Sequence, residues 1–162
     1  MCLFGHRHME NPREIEEQLE EIITELVRRH GMLRFLIGRD GDFDLLAASV
    51  IRRVCRRCGQ GNTCLTLVLP YSRAEYRNNL NGILACYDEV EICQASAKVY
   101  YKAAFPVRNR SMIDRADLLI CYVERDYGGA YQALTYAKKR GVPTLYLSSY
   151  PPTNINSRPV TK

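Results

Sequence analysis

The chain has 162 residues, 46% hydrophobic and 25% charged, enough for one complete α/β core and too few for two comfortable domains. Its formal net charge of +5 admits an anionic partner, but the basic residues are spread along the chain, so charge alone does not indicate nucleic-acid binding. No apolar stretch approaches the roughly 20 residues of a membrane span, and the N-terminal MCLFGHRH is too short for a secretion signal, so a cytoplasmic protein is expected.

Seven cysteines, an odd number without an export signal, fit reduced thiols. Cys2, Cys86, Cys93 and Cys121 sit among apolar residues and read as small core side chains. In chain order, CLFG is a short strand. The segment from Asn11 to Gly31 is a helix, with Asn11 as N-cap, Pro12 at the first helical position and Glu14 in a capping-box-like start. Ile15, Leu19, Ile22, Ile23, Leu26 and Val27 recur at helical spacing before the stop at Gly31.

LRFLIG is a second strand, RDGDFD a tight loop, and Phe43 to Arg57 a second helix. CLTLVLP is a third strand, SRAEYRNNL a short helix and DEVEIC a weak strand, while residues 94 to 105 read as irregular. A helix over Arg108 to Arg115 leads into a near-continuous apolar strand, Leu118 to Val123, of the kind covered on both faces. Gly129 to Arg140 is the last helix, stopped by Gly141 and Pro143, and TLYLSS the last strand. Residues 1–150 thus form one domain, and the polar, proline-bearing 151–162 a loose tail.

Alternating strands and helices imply a mostly parallel sheet with helices on both faces, in which loops at the strand carboxyl ends line one crevice. Three loops carry ligand-binding chemistry: Gly5-His6-Arg7, Gly38-Arg39-Asp40-Gly41 and Tyr127-Gly128-Gly129. The Gly128-Gly129 pair before a helix reads either as a phosphate cradle on unpaired N–H groups or as a plain strand-to-helix turn. Arg108 and Arg110, placed at a helix start, would oppose the macrodipole there. An external anion would resolve that conflict; salt bridges to Asp114 and Asp117 are the alternative.

FGHR, GRDGDFDLLAA, RNRSMIDRADLLI and GGAYQALTYAKKRGV together resemble, in order and spacing, the YpsA-like branch of the SLOG superfamily over most of residues 2 to 147. That superfamily has Rossmann-like domains and includes the LOG phosphoribohydrolases and the DNA-processing protein DprA. The resemblance implies a single Rossmann-like α/β domain that binds or senses a nucleotide or nucleotide-derived ligand. It also implies that Arg108, Asn109, Arg110, Gly128 and Gly129 form one wall of the crevice, with Gly5, His6, Arg7, Gly38, Gly41 and Asp44 opposite. Asp44 would accept ribose hydroxyls or cap the second helix.

The chain departs from the LOG pattern by lacking its second-half glycine and its glutamate, and Ala130 stands where the family often has threonine. A LOG-like hydrolase is therefore the alternative reading, DprA-like DNA binding a weaker one, and the catalytic residues are unknown. No metal is expected. Leu45 and Ile51 break the calcium-loop pattern begun by Asp40, Asp42 and Asp44, and Cys55, Cys58 and Cys64 lack a second ligand pair for zinc. His6 reads as a ligand-contacting or loop-stabilising group, and Tyr71, Tyr100 and Tyr101 as base-stacking or packing rings. No cofactor is established, a nucleotide-like small molecule is the expected partner, and a homo-oligomer is compatible with the sequence. Alanine at Arg108 or Arg110 is expected to weaken ligand binding with much less effect on folding.

Overall fold

A computed structural model describes residues 1–58 and 61–148 of the chain; the tail assigned to 151–162 lies outside the described residues. Six strands, β1 (Cys2–Gly5), β2 (Leu33–Ile37), β3 (Thr63–Leu69), β4 (Glu89–Ile92), β5 (Leu119–Tyr122) and β6 (Thr144–Leu147), form one parallel sheet in the order β4-β3-β2-β1-β5-β6. The fold is α/β and Rossmann-like. β1 is the switch strand: the chain first builds outward through β2, β3 and β4, then crosses back to add β5 and β6 on its other side. Ligands of such sheets sit at the carboxyl end of that switch.

The period of two along each strand divides the core into two layers. Leu3, Phe35, Ile37, Leu65 and Leu67 pack with Ile15, Leu19 and Ile23 of α1 (Pro12–Arg29) and with Phe43, Ala47 and Ile51 of α2 (Asp42–Cys58). Cys2, Phe4, Leu36 and Val68 face the other way, onto Met112 and Ile113 of one helix and Ala133, Leu134 and Ala137 of another. All four residues of β5 are buried, the covered strand that its apolar run predicts.

Three local expectations change. Asn11 occupies the N-cap of α1, but its side chain makes no capping hydrogen bond. The single short helix predicted over 72–80 is two five-residue helices, α3 (Ala74–Asn78) and α4 (Leu80–Leu84). Residues 94 to 105 are not irregular: α5 (Gln94–Ala97) precedes α6 (Tyr101–Asp114), which carries Pro106 inside it. Proline in a helix interior removes one hydrogen bond and normally marks a break, which is why the sequence places the helix start too late.

Arg108 and Arg110 therefore lie in the interior of α6, not at its N-terminus, and the predicted conflict with the macrodipole does not arise. Their predicted partner Asp114 is engaged elsewhere, accepting hydrogen bonds from the Tyr136 hydroxyl at 2.9 Å and pairing with Arg140 at 3.0 Å. Cys86 is exposed, contrary to its predicted core role, whereas Cys2, Cys93 and Cys121 are buried. The last helix, α7 (Gly128–Arg140), ends at Gly141, whose φ of 70° is the left-handed stop expected of glycine.

Candidate functional site

The loops leaving β1, β2 and β5 meet because these strands are neighbours, and glycine lets their backbones close up. A Cβ on Gly5 would stand 2.1 Å from the ring of buried Phe43, and one on Gly41 would stand 2.8 Å from the Cα of Arg7. The first loop is tied on both sides. The His6 N–H donates to the Tyr122 carbonyl at 3.1 Å, and the Asp42 N–H donates to the Arg7 carbonyl at 2.9 Å.

His6 Nε2 accepts from the Arg125 backbone N–H at 3.0 Å, so the imidazole joins the β1 and β5 loops. Burial, then the positive charge of Arg125, lowers its pKa, consistent with a neutral ring that accepts at this nitrogen. Of the two roles read from sequence for His6, ligand contact and loop stabilisation, this hydrogen bond is of the second kind.

Arg108 is the centre of the site. Only 4% of it is exposed, and it lies beneath the β2 loop: Nη1 donates to the Val68 carbonyl at 2.8 Å, and Nη2 is 3.5 Å from Asp40 Oδ2. Gly38 makes room for it, since a Cβ there would stand 2.7 Å from Arg108 Nη1 and 2.8 Å from Asp44 Oδ2. The Arg108 Nε and the neighbouring Asn109 Oδ1 are buried with no hydrogen-bond partner among the described residues. Burial lowers the Arg108 pKa against the pull of Asp44 and Asp40.

Asp44, in the first turn of α2, accepts from the Asp40 backbone N–H at 3.0 Å, so its carboxylate fixes the loop that leads into the helix. Burial raises its pKa to about 6, opposed by that hydrogen bond and by Arg108.

The third wall is the start of α7. Tyr127 is its N-cap and offers no side-chain capping bond. Gly128 has φ +89°, and nothing lies within 4 Å of a Cβ built on Gly128 or Gly129. The turn thus leaves the first N–H groups of a 13-residue helix without a side-chain cap beside an open space.

A cavity of about 370 Å³ joins these walls. Gly5, His6, Arg7, Gly38, Gly41, Asp44, Arg108, Asn109, Gly128 and Gly129 all line it. Arg110 does not: its guanidinium lies 5.6 Å from the Tyr136 ring, in an adjoining cavity between α6 and α7. One helical turn of 3.6 residues cannot aim both Arg108 and Arg110 the same way.

Sequence reasoning missed Asp40 as the partner of Arg108, and it missed Phe105 and Arg125 in the cavity wall. Phe105 falls in the stretch read as irregular. Arg125 lies three residues before Gly128, in a loop whose only sequence signal is its glycines. Tyr71 is a packing ring, edge-on to Phe105 and covered by the Arg73 guanidinium at 5.0 Å, whereas Tyr100 and Tyr101 are exposed and lie against each other. Among the described residues no three His, Cys, Asp or Glu side chains gather as a metal site, and no helix is long and apolar enough to cross a membrane.

No family model matches the chain, and no curated protein matches it. Among solved structures it is similar to DNA processing protein A from Helicobacter pylori, described for its single-stranded DNA binding mode, with TM-score 0.62 and 17% identity, covering 92% of this chain and 65% of that one. It is also similar to DNA processing protein A (DprA) from Streptococcus pneumoniae, with TM-score 0.63 and 13% identity, covering 92% of this chain and 50% of that one. The chain spans less than two thirds of the length of either structure, and at these identities the likeness is one of fold: a Rossmann-like α/β domain shared with DprA proteins.

Proposed function

We propose that the crevice binds the phosphate of a nucleotide or nucleotide-derived ligand, in keeping with the YpsA-like resemblance of the four sequence motifs. The observation that carries this reading is Arg108: a guanidinium 4% exposed, with its Nε unpartnered, set across one cavity from the uncapped start of α7. Burying a cation without full pairing is unfavourable. A phosphate would complete the pairing and at the same time accept from the helix N-terminus, where backbone N–H groups and the macrodipole both favour an anion. Asp44, whose Oδ2 accepts from the backbone, lines the same cavity and can receive a ribose hydroxyl.

Calorimetric titration of AMP, ADP, ATP and ADP-ribose tests this with two variants. Nothing lies within 4 Å of a Cβ on Gly129 and its φ is not positive, so the backbone and the space at its Cβ accept Gly129→Asp. A carboxylate in the first turn stabilises a helix by about 0.3–1 kcal/mol, yet here it would repel a bound phosphate. The expected result is at least tenfold weaker binding with an unchanged or raised melting temperature. Arg108→Lys keeps the charge but loses the planar fork, and should weaken binding roughly ten- to a hundredfold. A panel in which nothing binds, or in which Gly129→Asp binds as the wild type does, would defeat the proposal.

The same samples should release no free base. The carboxylates lining the crevice, Asp40 and Asp44, are engaged with Arg108 and with a backbone N–H, and the LOG glutamate is missing. A turnover near ten per second, the median for enzymes, would restore the hydrolase reading if Gly129→Asp abolished it. Seating of a single-stranded DNA end in this crevice is a second reading, supported by the fold shared with the H. pylori protein. It predicts that a short oligonucleotide displaces the mononucleotide.

A further inference from the structure

A groove of about 720 Å³ runs between α2 and the α4 segment, away from the crevice, and its walls carry Arg39, Arg52, Arg53, Arg56 and Arg57 with no carboxylate among the lining residues. Two of the five are neutralised from α1: Arg53 pairs with Glu16 at 2.8 Å and Glu20 at 2.6 Å, and Arg57 with Glu20 at 2.7 Å. Arg39, Arg52 and Arg56 make no ion pair among the described residues. Arg52 and Arg56 are one turn apart on the same face of α2, about 6 Å along the helix axis. Arg39 continues the row toward the crevice, because its neighbours Gly38 and Asp40 both line that cavity.

The floor beneath these guanidinium groups is apolar and in part buried. Ile83 and Tyr87 are 2% and 3% exposed, with Ala48 beside them. A low-dielectric wall under cations strengthens their attraction for an anion relative to open water. Three arginines without an ion pair on one groove favour a partner that carries several negative charges.

We propose that this groove holds the phosphate backbone of a single nucleic-acid strand, independently of bases and as a site separate from the crevice. The groove is walled by residues of α2 and of the α4 segment. Arginine meets phosphate oxygens two at a time, and a basic groove that tracks a backbone is the usual form of sequence-independent single-strand binding. The inference does not depend on what occupies the crevice, although a strand leaving the groove past Arg39 would arrive there.

Binding of oligo(dT) to the full chain is to be measured across a salt series, together with the double variant Arg52→Gln/Arg56→Gln. Arg56 is exposed and Arg52 half-buried, and glutamine keeps a good helix former at each position. The wild type is expected to bind with steep salt dependence. The variant should bind about tenfold more weakly, the effect of removing two arginine–phosphate pairs in a groove open to water. Its slope of log K against log salt should be shallower by about 1.4, at about 0.7 for each single-strand phosphate that is no longer neutralised.

Lys98→Gln/Lys102→Gln, which removes the same charge from exposed positions outside the groove, should leave both quantities near wild type. The exposed Cys86 lines the groove and supplies a second readout: saturating oligo(dT) should slow its alkylation. Inorganic polyphosphate should compete, because phosphate is what the groove would read.

The proposal is overturned if oligo(dT) does not bind, if the arginine variant equals wild type, or if the lysine variant is weakened as much. It also falls if Cys86 reacts equally fast when the oligonucleotide is bound, or if poly-L-glutamate binds more tightly than oligo(dT), which would assign the groove to an acidic polypeptide. Mononucleotide titration of the arginine variant separates the two sites. Loss of oligonucleotide binding with mononucleotide binding intact supports the groove, and absence of mononucleotide binding with oligonucleotide binding intact removes only the crevice reading.

Discussion

Arg108→Ala is expected to lower stability by about 3 kcal/mol, in the range for removing one partner of a buried charge cluster, and to lower the melting temperature by about 6–12 °C for a chain of this size. The guanidinium is 4% exposed and donates to the Val68 carbonyl at 2.8 Å. Truncation leaves that carbonyl without its donor and removes the positive charge beside Asp40 and Asp44. Arg110→Ala should change stability by no more than about 1 kcal/mol, since an exposed arginine over the Tyr136 ring contributes about that much.

The expectation of a small folding effect is kept for Arg110 and replaced by a large one for Arg108. The deficit of Arg108→Ala should shrink from pH 7 toward pH 5, because the Asp44 carboxylate left behind can then take up a proton. Thermal melts of both variants at the two pH values decide it; equal melting temperatures for wild type and Arg108→Ala would mean that the buried guanidinium contributes nothing to the fold.

The second large effect is a gain. Burial raises the Asp44 pKa from 3.8 to about 6, so between those values the folded state holds a proton that the unfolded state has released. Stability then falls as pH rises through that window and is lowest, as far as this group is concerned, above pH 6. The carboxamide of an Asp44→Asn variant does not titrate and can still accept from the Asp40 N–H, while Asp40 remains 3.5 Å from Arg108.

The variant should therefore be more stable than wild type by about 1–3 kcal/mol at pH 7, the upper figure being a full two-unit shift at 1.36 kcal/mol per unit and the lower allowing for the part of Asp44 that solvent reaches. The advantage should vanish below pH 4. Chemical denaturation from pH 3 to 8 measures the difference, and curves that stay parallel throughout would show that Asp44 ionises as an ordinary aspartate. A residue kept at the expense of stability is characteristic of a functional site.

Much of this protein is determined locally, and that part is legible in the sequence. The period of two that sends Leu3 and Phe4 into opposite layers, the helical spacing from Ile15 to Val27 and the stop at Gly141 are properties of short stretches. They suffice for the α/β class, because parallel strands require crossovers and crossovers require helices of this kind. The glycine-bearing loops are equally plain, since each follows a strand and precedes a helix.

What the sequence could not decide depends on long-range packing and helix register. Pro106 gives the first half of α6 the pattern of a break, and the packing of Met112 and Ile113 on the sheet overrides that local signal. With the helix start misplaced, Arg108 and Arg110 read as equivalent. In the folded chain, Arg108 is buried against the Val68 carbonyl and Asp40, partners 40 and 68 residues away in sequence, while Arg110 faces another cavity. Gly5 carries the same lesson: it reads as a loop glycine for ligand approach, and its tightest constraint is the ring of Phe43, 38 residues on. Local pattern determined which elements form; only packing over those distances decided which charges are buried, which glycines are spacers and which arginine faces the crevice.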